Sequence, residues 1–202
     1  MTVFKLCGLS NKSDILAVNK LVPDHIGFVF YPLSRRYVSF EQAFGLREML
    51  DQRISSVGVF VDEDMDVIAD LLDQGIIDTV QLHGSEDADY IRRLKDRSGK
   101  KVIKAFRIND AEDVEEAVAS PADMILFDSG AGGGKLLDWS LLPDVKRPYY
   151  LAGGLTPDNV AEAIDRLSPY AVDVSSGIET DGRKDEIKMT KFVNAVRGVK
   201  ND

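Results

Sequence analysis

Short apolar and β-branched runs recur along the chain at residues 3–7, 25–30, 56–61, 79–83, 101–106, 123–128, 149–152 and 171–175. Their near-continuous apolar character is that of parallel strands buried on both faces. Between them lie charged stretches with helical spacing, such as Ile68, Leu71 and Leu72 within 64–74, and Val160, Ala163, Ile164 and Leu167 after a start at Pro157. Strand and helix therefore alternate throughout, in units of roughly 20 to 30 residues, the spacing of a compact single-domain (β/α)8 TIM barrel. The expected domain is 1–202, with a short fifth helix over 111–119 and a short segment after Asp138. An open doubly wound sheet is the alternative. It concentrates its ligand at one switch point, whereas polar or glycine-rich residues here follow almost every strand, as a closed ring of loops requires.

Composition narrows the partners. The 202 residues are 44% hydrophobic and 29% charged, enough for one full core. A net charge of -9 repels a polyphosphate backbone, so nucleic acid is not an expected partner and any phosphate must be held by a local site. A single cysteine forms no internal disulfide. No apolar run reaches the length of a membrane span, and no basic leader is evident, so the expectation is a soluble protein of a reducing cytoplasm.

Strand exits are where a barrel keeps its chemistry. Cys7 ends the first strand, just before Gly8. An isolated cysteine is ordinarily a small buried hydrophobe, but Lys5 shares its strand face, and a cation one layer below the sulfur is expected to favour thiolate and make Cys7 a general base. Asp128 ends the sixth strand after Met124, Ile125, Leu126 and Phe127. A partly desolvated carboxyl there is expected to keep its proton near neutral pH and serve as general acid. Gly153 and Gly154 follow strand seven, and Ser175, Ser176 and Gly177 follow strand eight. Either loop alone reads as a tight turn; as a pair they occupy the positions with which barrels hold phosphate through backbone N–H groups.

His83 has no second histidine at ligand spacing, so no metal is expected; it is read as lining the mouth and orienting substrate, with Gln81 one layer below. Lys104 and Asp173 are placed at the same depth, forming with Lys5 a polar belt in which Lys5 and Asp173 pair. The run Gly130-Ala131-Gly132-Gly133-Gly134-Lys135 misses P-loop spacing by a residue and lacks a Ser or Thr after Lys135, so it is read as a loop over the site.

The motifs Lys5-Leu6-Cys7-Gly8, Gln81-Leu82-His83-Gly84, Leu151-Ala152-Gly153-Gly154-Leu155 and Asp173-Val174-Ser175-Ser176-Gly177 together resemble those of the phosphoribosylanthranilate isomerases of tryptophan biosynthesis, over nearly the whole chain. The resemblance implies an Amadori rearrangement of N-(5-phosphoribosyl)anthranilate to 1-(2-carboxyphenylamino)-1-deoxyribulose 5-phosphate, with no cofactor. It implies Cys7 as base, Asp128 as acid, His83 and Asp173 as substrate contacts, and phosphate at Gly153, Gly154, Ser175, Ser176 and Gly177. The family's Ser-Pro-Arg-Tyr reads Ser34-Arg35-Arg36-Tyr37 here, so Arg36 takes the anthranilate carboxylate and Arg35 stands in for the proline. The threonine of the family's Gly-Gly-Thr-Gly loop is missing before Asp138-Trp139. The implied partner is the small phosphosugar-anthranilate substrate, and association with other enzymes of the pathway stays open. Two rivals share the barrel: another ribose- or ribulose-phosphate isomerase or lyase, and a catalytically silent phosphosugar-binding protein.

Overall fold

The computed structural model describes residues 2–130, 136–142 and 145–199. Eight parallel strands close into one barrel in chain order: β1 (Val3–Cys7), β2 (His25–Val29), β3 (Ser55–Phe60), β4 (Thr79–Leu82), β5 (Val102–Arg107), β6 (Met124–Asp128), β7 (Tyr149–Leu151) and β8 (Ala171–Val174), which pairs back onto β1. Every strand read from the apolar runs is present, its ends displaced by a residue or so. Closure leaves no unpaired sheet edge, and all eight strand exits open on one face.

The helices around this ring are α1 (Lys12–Leu21), α2 (Phe40–Glu48), α3 (Met65–Asp73), α4 (Ala88–Ser98), α5 (Ala111–Ala119), α6 (Val160–Leu167) and α7 (Glu186–Gly198). Their starts are written locally: Asn11 with Asp14, Ser39 with Gln42 and Asp110 with Asp113 each form a capping box, satisfying backbone N–H groups that a first turn leaves open. After β6 a single 3₁₀ turn, Trp139–Leu141, stands where a full helix would, in line with the short segment expected there. The α6 helix begins at Val160 rather than at Pro157. The reason is local: Asn159 bonds back into the preceding loop, accepting from Thr156 N at 2.8 Å and donating to Gly154 O at 3.0 Å. Among the described residues no helix is long and apolar enough to cross a membrane.

The period-two alternation of a strand sorts side chains into two cores. One face packs under the helices in a large apolar cluster that includes Leu6, Phe28, Phe60, Leu82, Phe127 and Val172. The other fills the barrel with Val57, Ile103, Ala105, Leu126, Tyr150, Ala152 and Ala171. This alternation corrects one expectation. Ile103 and Ala105 point inward, so Lys104 between them points out, where its Nζ donates to Gly84 O at 2.6 Å and Glu86 Oε2 at 2.8 Å. Lys104 does not belong to the polar belt inside the barrel.

A second feature was not read from the sequence. Between β8 and α7 the chain forms an antiparallel hairpin, β9 (Glu179–Thr180) with β10 (Arg183–Lys184). Its turn residues, Asp181 and Gly182, have φ of 50° and 76°, and Asp-Gly with two left-handed residues is the pairing that a two-residue hairpin turn favours. That dipeptide is the signal that would have revealed it.

Candidate active site

A cavity of about 260 Å³ opens at the strand exits. Its wall contains Cys7, Arg36, His83, Asp128 and Asp173, along with Gly153, Gly154, Ser175 and Ser176. Residues more than 160 positions apart in the chain meet here because β1 and β8 are neighbours: Ser175 Oγ donates to the carbonyl of Cys7 at 3.1 Å.

Cys7 lies at the top of β1, buried, with its sulfur against the backbone of β2. Its strand partner there is Gly27, and a Cβ at Gly27 would sit 2.6 Å from Sγ, so the glycine makes the space the thiol occupies. Lys5, two residues below, is fully buried and pairs with Asp173 at 2.8 Å, its register partner on β8, as expected. Removing either partner alone would leave a buried charge, at a cost of about 3–5 kcal/mol. The consequence for Cys7 reverses an expectation. Burial pushes the thiol up, and Lys5, its charge already engaged by Asp173, lowers it too little to compensate. The free protein thus holds Cys7 as the thiol, not the thiolate. One carboxylate oxygen of Asp173, Oδ1, is buried at the wall of the cavity and accepts from no donor among the described residues.

Asp128 closes β6 on the same wall. Its Oδ2 lies 3.4 Å from Nε2 of His83, and Nδ1 of that ring lies 3.3 Å from the side-chain amide nitrogen of Gln81. With the amide donating to Nδ1, the ring carries its proton on Nε2, directed at Asp128. Burial raises the Asp128 carboxyl, but the His83 contact and the backbone N–H groups of Ser129 and Gly130 outweigh it, and the net direction is down. This too reverses an expectation: Asp128 is ionised in the free protein. The sequence reading considered desolvation alone, whereas the turn that follows Asp128 supplies two N–H donors and His83 reaches it from the exit of β4.

The two arginines separate cleanly. In the loop after β2, Arg36 N donates to Ser34 Oγ at 3.1 Å, and the turn directs Arg36 into the cavity wall while Arg35 points outward, its side chain 56% exposed against 13% for Arg36. Both reach one carboxylate that the sequence reading missed. Glu179, on β9, accepts from Arg36 Nε at 2.6 Å and Nη2 at 3.0 Å, from Arg35 Nη2 at 2.7 Å and from Lys184 Nζ at 2.7 Å. Burial works against its charge, yet these donors hold it down at about 2.

The glycine loops are shaped by their neighbours. Gly153 and Gly154 both take φ near the left-handed region, 80° and 72°, which turns the chain sharply after β7. Gly177 approaches the carbonyl of Leu155 so closely that no Cβ fits, bringing the two loops together. Among the described residues the N–H groups of Gly154, Ser176 and Gly177 donate to no protein acceptor. Residues 131–135 of the glycine run, read as a loop over the site, lie outside the described residues.

The comparisons with known proteins converge. The family model for N-(5'-phosphoribosyl)anthranilate (PRA) isomerase matches residues 4–195. The isomerase of Endomicrobium trichonymphae is 45% identical, with 98% of this chain and 100% of that one aligned, and that of Lacticaseibacillus casei strain BL23 is 44% identical over 98% and 96%. Among solved structures, the isomerase from Thermotoga maritima superposes with a TM-score of 0.88 at 40% identity, covering 98% of this chain and all of the other. A phosphoribosyl anthranilate isomerase in complex with reduced 1-(o-carboxyphenylamino)-1-deoxyribulose 5-phosphate matches as well, with a TM-score of 0.88 at 38% identity and the same coverage. With a closed eight-strand barrel, a family match over nearly its full length and relatives above 40% identity, this chain belongs to the N-(5'-phosphoribosyl)anthranilate isomerase family.

Proposed function

We propose that this isomerase of tryptophan biosynthesis works by a Cys7 base and an Asp128 acid, acting on a substrate anchored at both ends. Asp128 protonates the furanose ring oxygen, the bond from that oxygen to the anomeric carbon breaks, and the nitrogen lone pair forms an iminium. The thiolate of Cys7 then takes the proton from the sugar's second carbon, and the resulting enolamine tautomerises to the ketone. The substrate nitrogen serves as electron sink, so the step calls on no cofactor. The single observation that carries the reading is that Cys7 and Asp128 line one cavity, with Arg36 and the 153–154 and 175–176 loops in the same wall. Holding both ends of the substrate across the acid and base places the reacting atoms without further search.

The free-state charges shape the mechanism. With the thiol raised and the carboxyl lowered, the dominant mid-pH form is the thiol with the carboxylate, and the reactive thiolate with carboxylic acid is its minority tautomer with the same proton count. The pair therefore works in reverse protonation. Arg36 takes the anthranilate carboxylate, the free N–H groups of Gly154, Ser176 and Gly177 take the phosphate, and the unpartnered Asp173 Oδ1 accepts from a sugar hydroxyl. The partner is a small molecule, met in the cytoplasm.

Variants test the reading. Cys7→Ser and Asp128→Asn should each lower turnover by about 10²-fold or more, followed by loss of anthranilate-type fluorescence, while inorganic phosphate still binds. Substantial turnover by either purified variant, free of wild type, would place the acid and base elsewhere, with His83 the first residue to probe. Arg36→Ala should chiefly raise KM and Arg35→Ala much less; the opposite order would assign the carboxylate to Arg35.

A further inference from the structure

We propose that Glu179 is the positioning residue for the substrate's carboxylate: it grips Arg36 by one edge of the guanidinium and presents the other edge to the ligand. This rests on the reading that Arg36 takes that carboxylate. A guanidinium offers two planar pairs of donors, a side pair of Nε with Nη2 and an end pair of Nη1 with the second Nη2 proton. Glu179 occupies the side pair, at 2.6 and 3.0 Å. Among the described residues nothing accepts from Nη1, and Arg36 stands in the cavity wall, so the end pair remains for a planar, bidentate ligand.

Two further features favour positioning over simple neutralisation. Glu179 is a single buried carboxylate among Arg35, Arg36 and Lys184, so the cluster stays net positive and still attracts an anion. The same cluster also holds the phosphate side of the cavity. Lys184 Nζ, 2.7 Å from Glu179, donates to Ser175 O at 2.9 Å and Ser175 Oγ at 3.2 Å. The hairpin is itself tied to α7 by Lys188 Nζ on the Glu179 carbonyl at 2.6 Å. The chain Arg36, Glu179, Lys184, Ser175 thus fixes the separation between the carboxylate anchor and the phosphate loop. That separation is what a substrate with an anion at each end must match.

The test is calorimetric titration of the full-length enzyme with three probes: reduced 1-(o-carboxyphenylamino)-1-deoxyribulose 5-phosphate, the same compound with a plain phenyl ring, and inorganic phosphate. Wild type should prefer the carboxylate-bearing ligand over the phenyl one. Glu179→Gln offers one acceptor where three cations donate, so it should lose about tenfold or more in affinity for the carboxylate ligand while phenyl-ligand and phosphate affinities hold. In steady state its KM should rise with kcat little changed. Glu179→Asp keeps the negative charge beside Lys184 and draws it back from the guanidinium by one methylene, so it should show the same selective loss, and it decides the matter if Glu179→Gln does not fold. Equal weakening of both organic ligands, or a fully retained preference in the folded variant, overturns the proposal while Arg36→Ala still abolishes the preference. If Arg36→Ala leaves the preference intact, the carboxylate reading itself is wrong and the proposal falls with it.

Discussion

Nε2 of His83 stands 3.4 Å from Oδ2 of Asp128, and its other ring nitrogen is held by Gln81. The His83 contact, with the Ser129 and Gly130 N–H groups, lowers the Asp128 carboxyl against the pull of burial, while burial and the Asp173 charge raise the Cys7 thiol. For a reverse-protonated acid and base, kcat/KM follows the population of the mid-pH form. The rate should therefore fall on the acid side as the Asp128 carboxylate gains a proton, and on the alkaline side as the Cys7 thiol loses one, with a broad plateau between. Removing the imidazole in His83→Ala should move the acid limb to higher pH and leave the alkaline limb in place. A pH profile whose acid limb does not move would dissociate His83 from the Asp128 proton.

Gly27→Ala should be disproportionately damaging to catalysis. The added methyl would press on Cys7 Sγ at 2.6 Å, and on Cys7 Cα and Lys5 Cε at 3.2 Å, two of them held in paired strands. Overpacking of this kind costs about 1–3 kcal/mol, tolerable for a barrel core, whereas a displaced sulfur loses its line to the substrate carbon. Thermal denaturation alongside steady-state turnover separates the two effects, and wild-type turnover in the folded variant would show that the sulfur's place is not so exacting.

Gly177→Ala should weaken phosphate binding. Its Cβ would collide with the Leu155 carbonyl, which is backbone and cannot swing away, so the loop after β8 must leave the loop after β7. Losing one or two charge-assisted N–H donors to the phosphate is worth about 1.5–3 kcal/mol, or about ten- to a hundredfold in Kd for inorganic phosphate. Unchanged phosphate affinity in this variant would move the anion site off these loops.

Glu179 makes acid stability testable. Its folded-state carboxyl is held at about 2 against an ordinary 4.5. The unfolded chain therefore binds the extra proton first, and the stability contributed above about 4.5 should be lost progressively as pH falls towards about 2. In Glu179→Gln the neutral amide takes no proton, so denaturant titrations across that window should show a shallower loss of stability than in wild type. An equal slope would mean that the arginines and Lys184 contribute nothing net to the folded state through this carboxylate.

What the chain alone determined is the set of local decisions. Runs buried on both faces, alternating with helical periodicity, sufficed for eight strands and a barrel, because each strand and each capping box is written in neighbouring residues. The placement of Cys7, Asp128, Gly154 and Ser176 in the cavity wall was legible for the same reason: a strand exit is a place in the sequence, and the motifs that resemble the isomerase family sit there. Lys104 was misplaced by reading depth along a strand without settling its face, which only the inward Ile103 and Ala105 decide. The protonation states and the Arg36 clamp belong to tertiary structure. A pKa is a balance between burial and partners, and part of that balance, Asp173 for Cys7 and His83 for Asp128, comes from other strands and loops of the ring. Glu179 lies more than 140 residues from Arg36, and only the closure of β8 onto β1 and the hairpin that follows bring its carboxylate to the guanidinium.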